Sequence, residues 1–253
     1  MIAQQRRRVI LAHLSRADQV TVNQLATELR ASKETIRRDL ADLDAQHLLR
    51  RVHGGAVPAQ TGAEEAFNRR ALQHRTEKQR IGTRAAELFK SGDSLFIDAG
   101  TTTAAFAGAL ARLSGLTVFT NSMEVAARLW AGPGEIRVHV LGGDYYGEVA
   151  ETLGAETVHQ INRLRADHAV LTVGTVDAEG GFMDFNMDEA TVATAMVRSA
   201  RTVTVLADHS KLGRTSQVRV CALSPVARLV TDAPPPATLA EALERGGVEV
   251  LLA

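Results

Sequence analysis

Residues 31–57, ASKETIRRDLADLDAQHLLRRVHGGAV, decide how this chain is read. Ser32 suits a helix N-cap, because its hydroxyl can accept a hydrogen bond from a backbone N–H that the helix leaves unpaired. Behind it Ile36, Leu40 and Leu43 recur at i, i+4 and i+7, which puts one apolar stripe on one helical face. Lys33, Thr35, Arg37 and Arg38 fall off that stripe, near the positive end of the helix. Leu48–Val52, the turn His53-Gly54-Gly55 and Ala56-Val57 are two short apolar runs around glycines, the pattern of a small hairpin. A helix with cations and hydroxyls at its front, followed by a basic hairpin, suits a major groove and its flanking phosphates. A basic amphipathic helix alone says less. Arg38 and Asp42, at i and i+4, can equally be a solvated ion pair worth about 0.3 kcal/mol. The order of parts decides.

Upstream, Gln4–Leu14 reads as a first helix, with Val9, Ile10, His13 and Leu14 near one face. Thr21-Val22-Asn23-Gln24 has capping-box spacing and opens a second helix with Val22, Leu25, Ala26 and Leu29 inward. Arg30-Ala31 is a tight link into the Ser32 helix. Three short helices, a turn between the second and third, and a hairpin make a winged helix-turn-helix. Its candidate DNA contacts are Ser32, Lys33, Thr35, Arg37, Arg38, Arg51 and, at the tip of the wing, His53. The runs Thr-Ile-Arg-Arg-Asp-Leu (35–40) and Arg-x-His-Gly-Gly-Ala (51–56) resemble the signature of the DeoR family of bacterial transcription regulators. The resemblance implies double-stranded operator DNA as a partner and an effector domain behind the DNA-binding one.

The charge distribution agrees. The 253 residues are formally neutral, yet residues 1–57 carry ten Lys/Arg against six Asp/Glu, and residues 58–253 carry nineteen against twenty-three. A basic module joined to an acidic body fits one part that touches phosphates and one that does not. Aromatic residues are 4% of the chain, too few for a base-stacking surface, which argues against single-stranded nucleic acid. Cys221 is the only cysteine, so no intrachain disulfide forms, which suits a reducing cytosol. Val218–Ala222 around it alternates like a strand, the setting of a packed thiol. The amino-terminal arginines have no apolar run behind them, and nothing approaches the roughly eighteen apolar residues of a membrane span, so a cytoplasmic protein is expected.

Pro58–Ala63 reads as a linker and Glu64–Phe89 as a helix. The resemblance makes that helix a connector, and its Arg69, Arg70, Arg75, Lys78, Arg80 and Arg84 read as a solvated face. The expected organisation is a DNA-binding domain over 1–57, linker and connector over 58–90, and an effector domain over 91–253. In the last part, Ser94–Asp98, Thr117–Thr120, Arg137–Leu141, His168–Val173, Thr202–Ala207 and Leu229–Thr231 are β-branched or apolar runs. Helical stretches such as Thr103–Leu113, Met123–Trp130 and Asp188–Arg201 lie between most of them. That alternation argues an α/β domain with a mostly parallel sheet and helices on both faces. Such sheets bind ligands beyond the carboxyl ends of their strands, so the residues just after each run carry the information.

After the first run, Asp98-Ala99-Gly100-Thr101-Thr102-Thr103 leads into a helix, and glycine, hydroxyls and N–H groups at a helix start suit a phosphate. Asn121-Ser122 and Gly142-Gly143 follow the next two runs, and Asp208-His209-Ser210-Lys211 brings a lysine that can neutralise a phosphate. Asp188 and Glu189 open another helix and can bind sugar hydroxyls. Each has a bland reading: Ser122 and Asp188 as N-caps, Gly142-Gly143 as a turn. Together they define the candidate effector site: Asp98, Gly100, Thr101, Thr102, Thr103, Asn121, Gly142, Gly143, Asp188, Glu189 and Lys211.

Asp98-x-Gly-Thr-Thr, Thr120-Asn121, Gly142-Gly143 and Asp208-His-Ser-Lys also resemble the DeoR effector domain, which is similar to sugar-phosphate isomerases. Within the family, Thr231–Pro236 and Asp184-Phe185 point toward regulators that answer to glycerol 3-phosphate. Thr172 and Thr175 depart from the glycines usual there, which bears on the ligand and not the fold. His13, His47, His74, His139, His159 and His168 are scattered without HExxH or paired Cys/His spacing, so no metal and no cofactor is expected. The competing function is a phosphosugar isomerase fused to a DNA-binding module, with Lys211 and Asp188, Glu189 or Asp208 as acid and base. The favoured expectation is a homo-oligomeric repressor, a dimer or tetramer, without catalytic residues. A phosphorylated metabolite, glycerol 3-phosphate or a phosphosugar, shifts it between DNA-binding states.

Overall fold

The computed structural model describes residues 3–14, 20–45, 48–52, 54–58 and 67–253. The chain divides into two compact units, residues 1–62 and 63–253. His53 and the Ala59–Ala63 part of the expected linker lie outside the described residues.

The first unit holds α1 (Ala3–Leu14), β1 (Val20–Thr21), α2 (Val22–Glu28), α3 (Lys33–Ala45), β2 (Leu49–Val52) and β3 (Gly55–Pro58). Thr21 caps α2 reciprocally: its Oγ1 accepts from the Gln24 N–H at 3.2 Å, and the Gln24 side chain accepts from the Thr21 N–H at 3.2 Å. Ser32 does the same work for α3, accepting from the Thr35 N–H at 3.1 Å. Ile10, Leu25, Ile36, Leu40, Leu43, Leu49 and Ala56 close one small core, so the i, i+4, i+7 stripe of α3 is the inward face. The hairpin forms in the register Arg51↔Ala56 and Val52↔Gly55. A third strand, absent from the sequence reading, is added by β1, with Val20↔Ala56 and Thr21↔Gly55. It explains Gly55, where a Cβ would lie 2.0 Å from the Val20 carbonyl oxygen.

Charge also locks this unit. Asp39 on α3 is buried and accepts from Arg6 at 2.5 Å and Arg7 at 3.1 Å, and Arg7 also reaches Asp42. The Arg38–Asp42 pair considered above is therefore not made, because α1 supplies Asp42's partner. Removing one member of a buried pair strands the other charge. Asp39→Ala is expected to cost about 3 kcal/mol and to lower the first urea transition of the full chain followed by far-UV circular dichroism. An unchanged transition would show that this clamp is dispensable.

The second unit begins with α4 (Phe67–Leu72) and α5 (Arg75–Ala86). The sequence reading expected one continuous helix here. It is broken at His74, which sits in the left-handed region at φ 51° and precedes α5. Tertiary partners hold the break. The His74 ring packs edge-on against His209 at 4.8 Å, and Lys78 Nζ turns back to donate to the Arg70 carbonyl at 2.5 Å.

Beyond it the chain alternates: β4 (Ser94–Ile97), α6 (Thr101–Leu110), β5 (Leu116–Thr120), α7 (Met123–Trp130), β6 (Ile136–Val140), then β7 (Asp144–Tyr146), β8 (Glu151–Leu153) and α8 (Ala155–Asn162). Next come β9 (Ala166–Thr172), β10 (Thr175–Asp177), β11 (Gly181–Asp184), α9 (Met187–Ser199), β12 (Ala200–Leu206), β13 (Val218–Cys221), β14 (Arg228–Thr231), α10 (Ala237–Arg245) and β15 (Glu249–Leu252). Seven strands form one sheet in the order β15-β14-β12-β9-β4-β5-β6, every pairing parallel. Its six interior and flanking runs are the six read from the sequence, with β15 added at one edge.

The alternation of each strand divides its side chains between two layers. Leu95, Ile97, Val118 and Val170 pack with Ile81, Phe106, Leu110 and Val125 from α5, α6 and α7. Phe96, Leu171, Val203, Val205 and Leu229 pack with Ile161, Val192, Met196, Leu239 and Leu243 from α8, α9 and α10. Gly82 lets α5 and α6 touch, since a Cβ there would fall 2.7 Å from the Phe106 backbone nitrogen. Cys221 lies in β13 of a separate antiparallel sheet, β10-β11-β13, where burial pushes its thiol up to about 11. It is a packed thiol. Among the described residues no helix is long and apolar enough to cross a membrane.

Candidate functional site

The sheet order places β4 and β9 side by side, although the chain leaves β4 toward β5 and β6 and returns through β9 toward β12, β14 and β15. That reversal opens a crevice beyond the strand ends, where ligands of such sheets bind. Asp98 follows β4, and its N–H donates to the Val170 carbonyl of β9 at 3.1 Å. Gly100 caps α6 and runs so close to β9 that a Cβ would meet Thr172 Cγ2 at 2.1 Å. Thr172 thus fills space against the loop.

A small cleft forms here, lined by Thr101, Thr102 and Thr172, by Asp208, Ser210 and Lys211, and by Arg70, Gln73, His74 and Lys78. Lys78 is the main residue that the sequence reading misplaced: it is 5% exposed, not part of a solvated face. Arg70 joins it, half-buried at the cleft. The helical periodicity could not reveal either, because the break at His74 re-aims α4 and α5. Two lysines, one arginine and the start of α6 therefore converge, which is a donor set for an oxyanion. The cleft is small, about 40 Å³. A larger groove of about 760 Å³ lies beside α4, α5 and α6; it shares Lys78 and Thr101 with the cleft and is also lined by Arg75, Gln79, Glu87, Arg112 and Arg128. The smaller cleft is the one at the ends of β4 and β9, where Thr172, Asp208 and Lys211 join.

Asp208 is buried and caps the short 3-10 turn His209–Lys211, its Oδ1 accepting from the Ser210 N–H at 3.0 Å. His209 Nδ1 bonds Asp232 at 2.7 Å, and the His209 N–H donates to the other oxygen of Asp232 at 2.7 Å. That contact raises the His209 imidazole above its ordinary pKa and, together with backbone bonds, lowers Asp232 against the effect of burial.

On the other side of Asp98 the surroundings are acidic. Burial pushes the Asp98 carboxyl well above the usual carboxylate range, and the charges of Glu151, Asp184 and Glu189 push the same way. Asn121 is fully buried, donates to Glu151 Oε2 at 3.3 Å and to the Thr152 carbonyl at 3.3 Å, and among the described residues its Oδ1 has no partner. Carboxylates and amide oxygens accept from hydroxyls, so this wall suits the alcohol end of a ligand. Glu151 and Asp184 were not among the expected contacts. They sit on short antiparallel strands that the run-counting passed over.

A buried acid whose folded pKa is raised costs stability once it must ionise. The contribution is present at low pH and lost as pH rises through the folded value. Asp98→Asn is therefore expected to raise the thermal midpoint at neutral pH. The difference from wild type should shrink as pH falls toward the ordinary carboxylate value of about 4. A variant less stable at every pH would mean that Asp98 holds the loop together.

Other expected contacts turn elsewhere. Thr103 is fully buried and its hydroxyl donates to the Gly100 carbonyl at 3.1 Å. Gly142 and Gly143 are tied to α8: the Gly142 N–H donates to Gln160 at 2.9 Å, its carbonyl accepts from Thr157 at 2.7 Å, and a Cβ on Gly143 would strike Thr157 Oγ1 at 2.1 Å. They form a packed turn and do not line the cleft. Asp188 is exposed, and the cap of α9 is Asn186, whose side chain accepts from the Asp188 N–H at 2.8 Å. Ser122 caps α7, as its bland reading had it.

In the first unit, Lys33, Arg37 and Arg38 stand exposed on the leading turns of α3, with Ser32 and Thr35 bonded to each other at 2.8 Å beside them. Among the described residues Arg37 pairs only with Glu34, at a long 3.4 Å, and Arg51 is exposed on β2. This is a cationic helix end beside a cationic strand.

Two family profiles match the chain: a DeoR-like helix-turn-helix domain over residues 6–61 and a DeoR C-terminal sensor domain over residues 73–233. The chain is 33% identical over 239 residues to the glycerol-3-phosphate regulon repressor of Escherichia coli K12, covering 94% of each. It is 33% identical over 253 residues to the HTH-type transcriptional repressor GlcR of Bacillus subtilis 168, covering 100% of this chain and 97% of that one. Among solved structures, ribose 5-phosphate isomerase A of Methanocaldococcus jannaschii is similar over 55% of each chain, at 16% identity and a TM-score of 0.41.

Proposed function

The chain belongs to the DeoR family of transcription regulators, and on that premise we propose that it is a repressor whose grip on operator DNA is set by a phosphorylated metabolite. Residues 1–57 bind DNA, 58–90 connect, and 91–253 bind the effector. The protein works as a homo-oligomer, a dimer or tetramer, so that two winged helices meet a repeated or palindromic site. It acts in the cytoplasm, and no catalytic role is assigned to it.

One observation carries the reading. A chain with a cationic recognition helix also gathers Lys78, Lys211, Arg70 and the α6 start around one cleft at the sheet's switch point. The acidic wall beyond Asp98 adds selectivity, because a polyol phosphate suits both ends while a bare alcohol brings no negative charge to the cations. Glycerol 3-phosphate is the first candidate. An ester that binds one arrangement of the protein better than another shifts the population toward it, and DNA affinity follows by linkage.

Thermal-shift screening of phosphorylated polyols and sugars against their parent alcohols tests this directly, since a ligand that binds only the folded state raises the midpoint. At least one ester should raise it and its parent alcohol should not. Equal shifts for ester and alcohol would remove the phosphate site. Conversion of a phosphosugar during the incubation would make the protein an isomerase instead.

A further inference from the structure

The sequence gives no metal-binding spacing, yet the fold brings three donors from distant positions together. His74, Asp208 and His209 each offer a ligand atom within 4.8 Å of the others. We propose that these three side chains form a site for a divalent transition metal at the edge of the effector cleft.

The arrangement of His209 is the first argument. Its Nδ1 is engaged by Asp232 at 2.7 Å, and its backbone N–H is held by the same carboxylate. A carboxylate partner calls for the proton on Nδ1, which makes Nε2 the metal-binding nitrogen. A carboxylate behind a ligating imidazole is the usual means of orienting it and raising its basicity.

The second argument is His74. A non-glycine residue in the left-handed region costs free energy and persists only where its surroundings impose it. His74 pays this at φ 51° while making no side-chain cap to α5, and its ring stands edge-on to His209 with centroids 4.8 Å apart. An ion about 2.1 Å from each ring nitrogen puts two imidazole centres roughly 4.5–5.2 Å apart, for angles from square to tetrahedral. The ring centroids already lie in that range, while the donor atoms, within 4.8 Å of one another, have still to close in.

Asp208 completes the set. It is buried, and its Oδ1 is taken by Ser210, which leaves its second oxygen as the donor. Two imidazoles and one carboxylate select a borderline ion such as zinc, cobalt, nickel or ferrous iron over magnesium or calcium. Ligand atoms around a bound ion stand about 3–3.5 Å apart, so the side chains close in on binding. Lys78, Lys211 and Arg70 line the same cleft and oppose a dication. A phosphate beside them offsets that repulsion, so ion and anion should favour one another. This last consequence rests on the effector reading; the ion site itself does not.

The test uses the untagged full chain, stripped with chelator, and cobalt(II) alone as the probe. One equivalent should bind, with visible d–d absorption from nitrogen and oxygen ligands. His74→Asn keeps a residue that tolerates the left-handed turn, and it should lose the absorption. Asp232→Asn should weaken cobalt about tenfold or more, as expected when an orienting carboxylate is removed. No stoichiometric binding, or binding that survives His74→Asn unchanged, overturns the site. Glycerol 3-phosphate is titrated in parallel with chelator present. A phosphate response there without cobalt binding ends the metal inference and leaves the effector reading intact, and the converse separates them the other way.

Discussion

Lys211→Met is expected to weaken the effector response by roughly one to two orders of magnitude while leaving operator binding at the wild-type level. Lys211 lies in the second unit and lines the cleft with Lys78, Asp208 and the start of α6. A hydrogen bond from a charged donor is worth about 1.5–3 kcal/mol, so loss of one ammonium should weaken a phosphate ester roughly 10–150-fold. Methionine keeps the aliphatic length, which separates lost charge from lost packing. Lys78→Met should do the same by a comparable factor and carries the sharper contrast, because Lys78 is buried on α5 and was read from sequence as a solvated residue. Calorimetry with glycerol 3-phosphate, alongside thermal midpoints of the unliganded variants, measures both. If both variants bind the ester as wild type does, the anion is held elsewhere.

Arg38→Ala, and Arg37→Ala beside it, should each cost on the order of 1–3 kcal/mol of specific operator binding. Both are exposed on the second turn of α3, where an arginine can pair bidentately with guanine. Arg38 is the stronger choice: among the described residues no ion pair engages it, while its neighbour Asp42 is held by Arg7. Arg51→Ala is the internal control, since a wing cation that meets phosphate should weaken specific and random DNA about equally and flatten the salt dependence. Wild-type affinity in both α3 variants at matched salt would show that another element reads the bases.

How much of this was legible before the fold was known differs by element. The α3 stripe, the Thr21 capping box and the Asp98-to-Thr102 loop depend on neighbours in sequence, and each was readable from spacing. Most of the parallel strands were readable because they are short β-branched or apolar runs, while the edge strand β15, half exposed, was not. Lys78 was not. Its burial follows from the break at His74, which no glycine or proline announces and which a contact with His209, far along the chain, helps to hold. Glu151 and Asp184 were missed for a related reason: they sit on strands of three or four residues, too short for a period to show. Gly142 and Gly143 erred the other way. Their place after a strand suggested a ligand loop, but the loop's groups are taken by Thr157 and Gln160 of α8.

The central claim is that a phosphate ester, bound in the second unit, governs DNA binding by the first. It is tested most directly by titrating the protein onto a fluorescent operator, selected in vitro, at fixed ionic strength. Parallel curves contain saturating glycerol 3-phosphate, other phosphate esters, or the parent alcohols. The account predicts that at least one ester displaces the operator curve, that its alcohol does not, and that Lys211→Met needs roughly 10–150-fold more ester for the same displacement. Curves that superimpose for every ester and alcohol would contradict it.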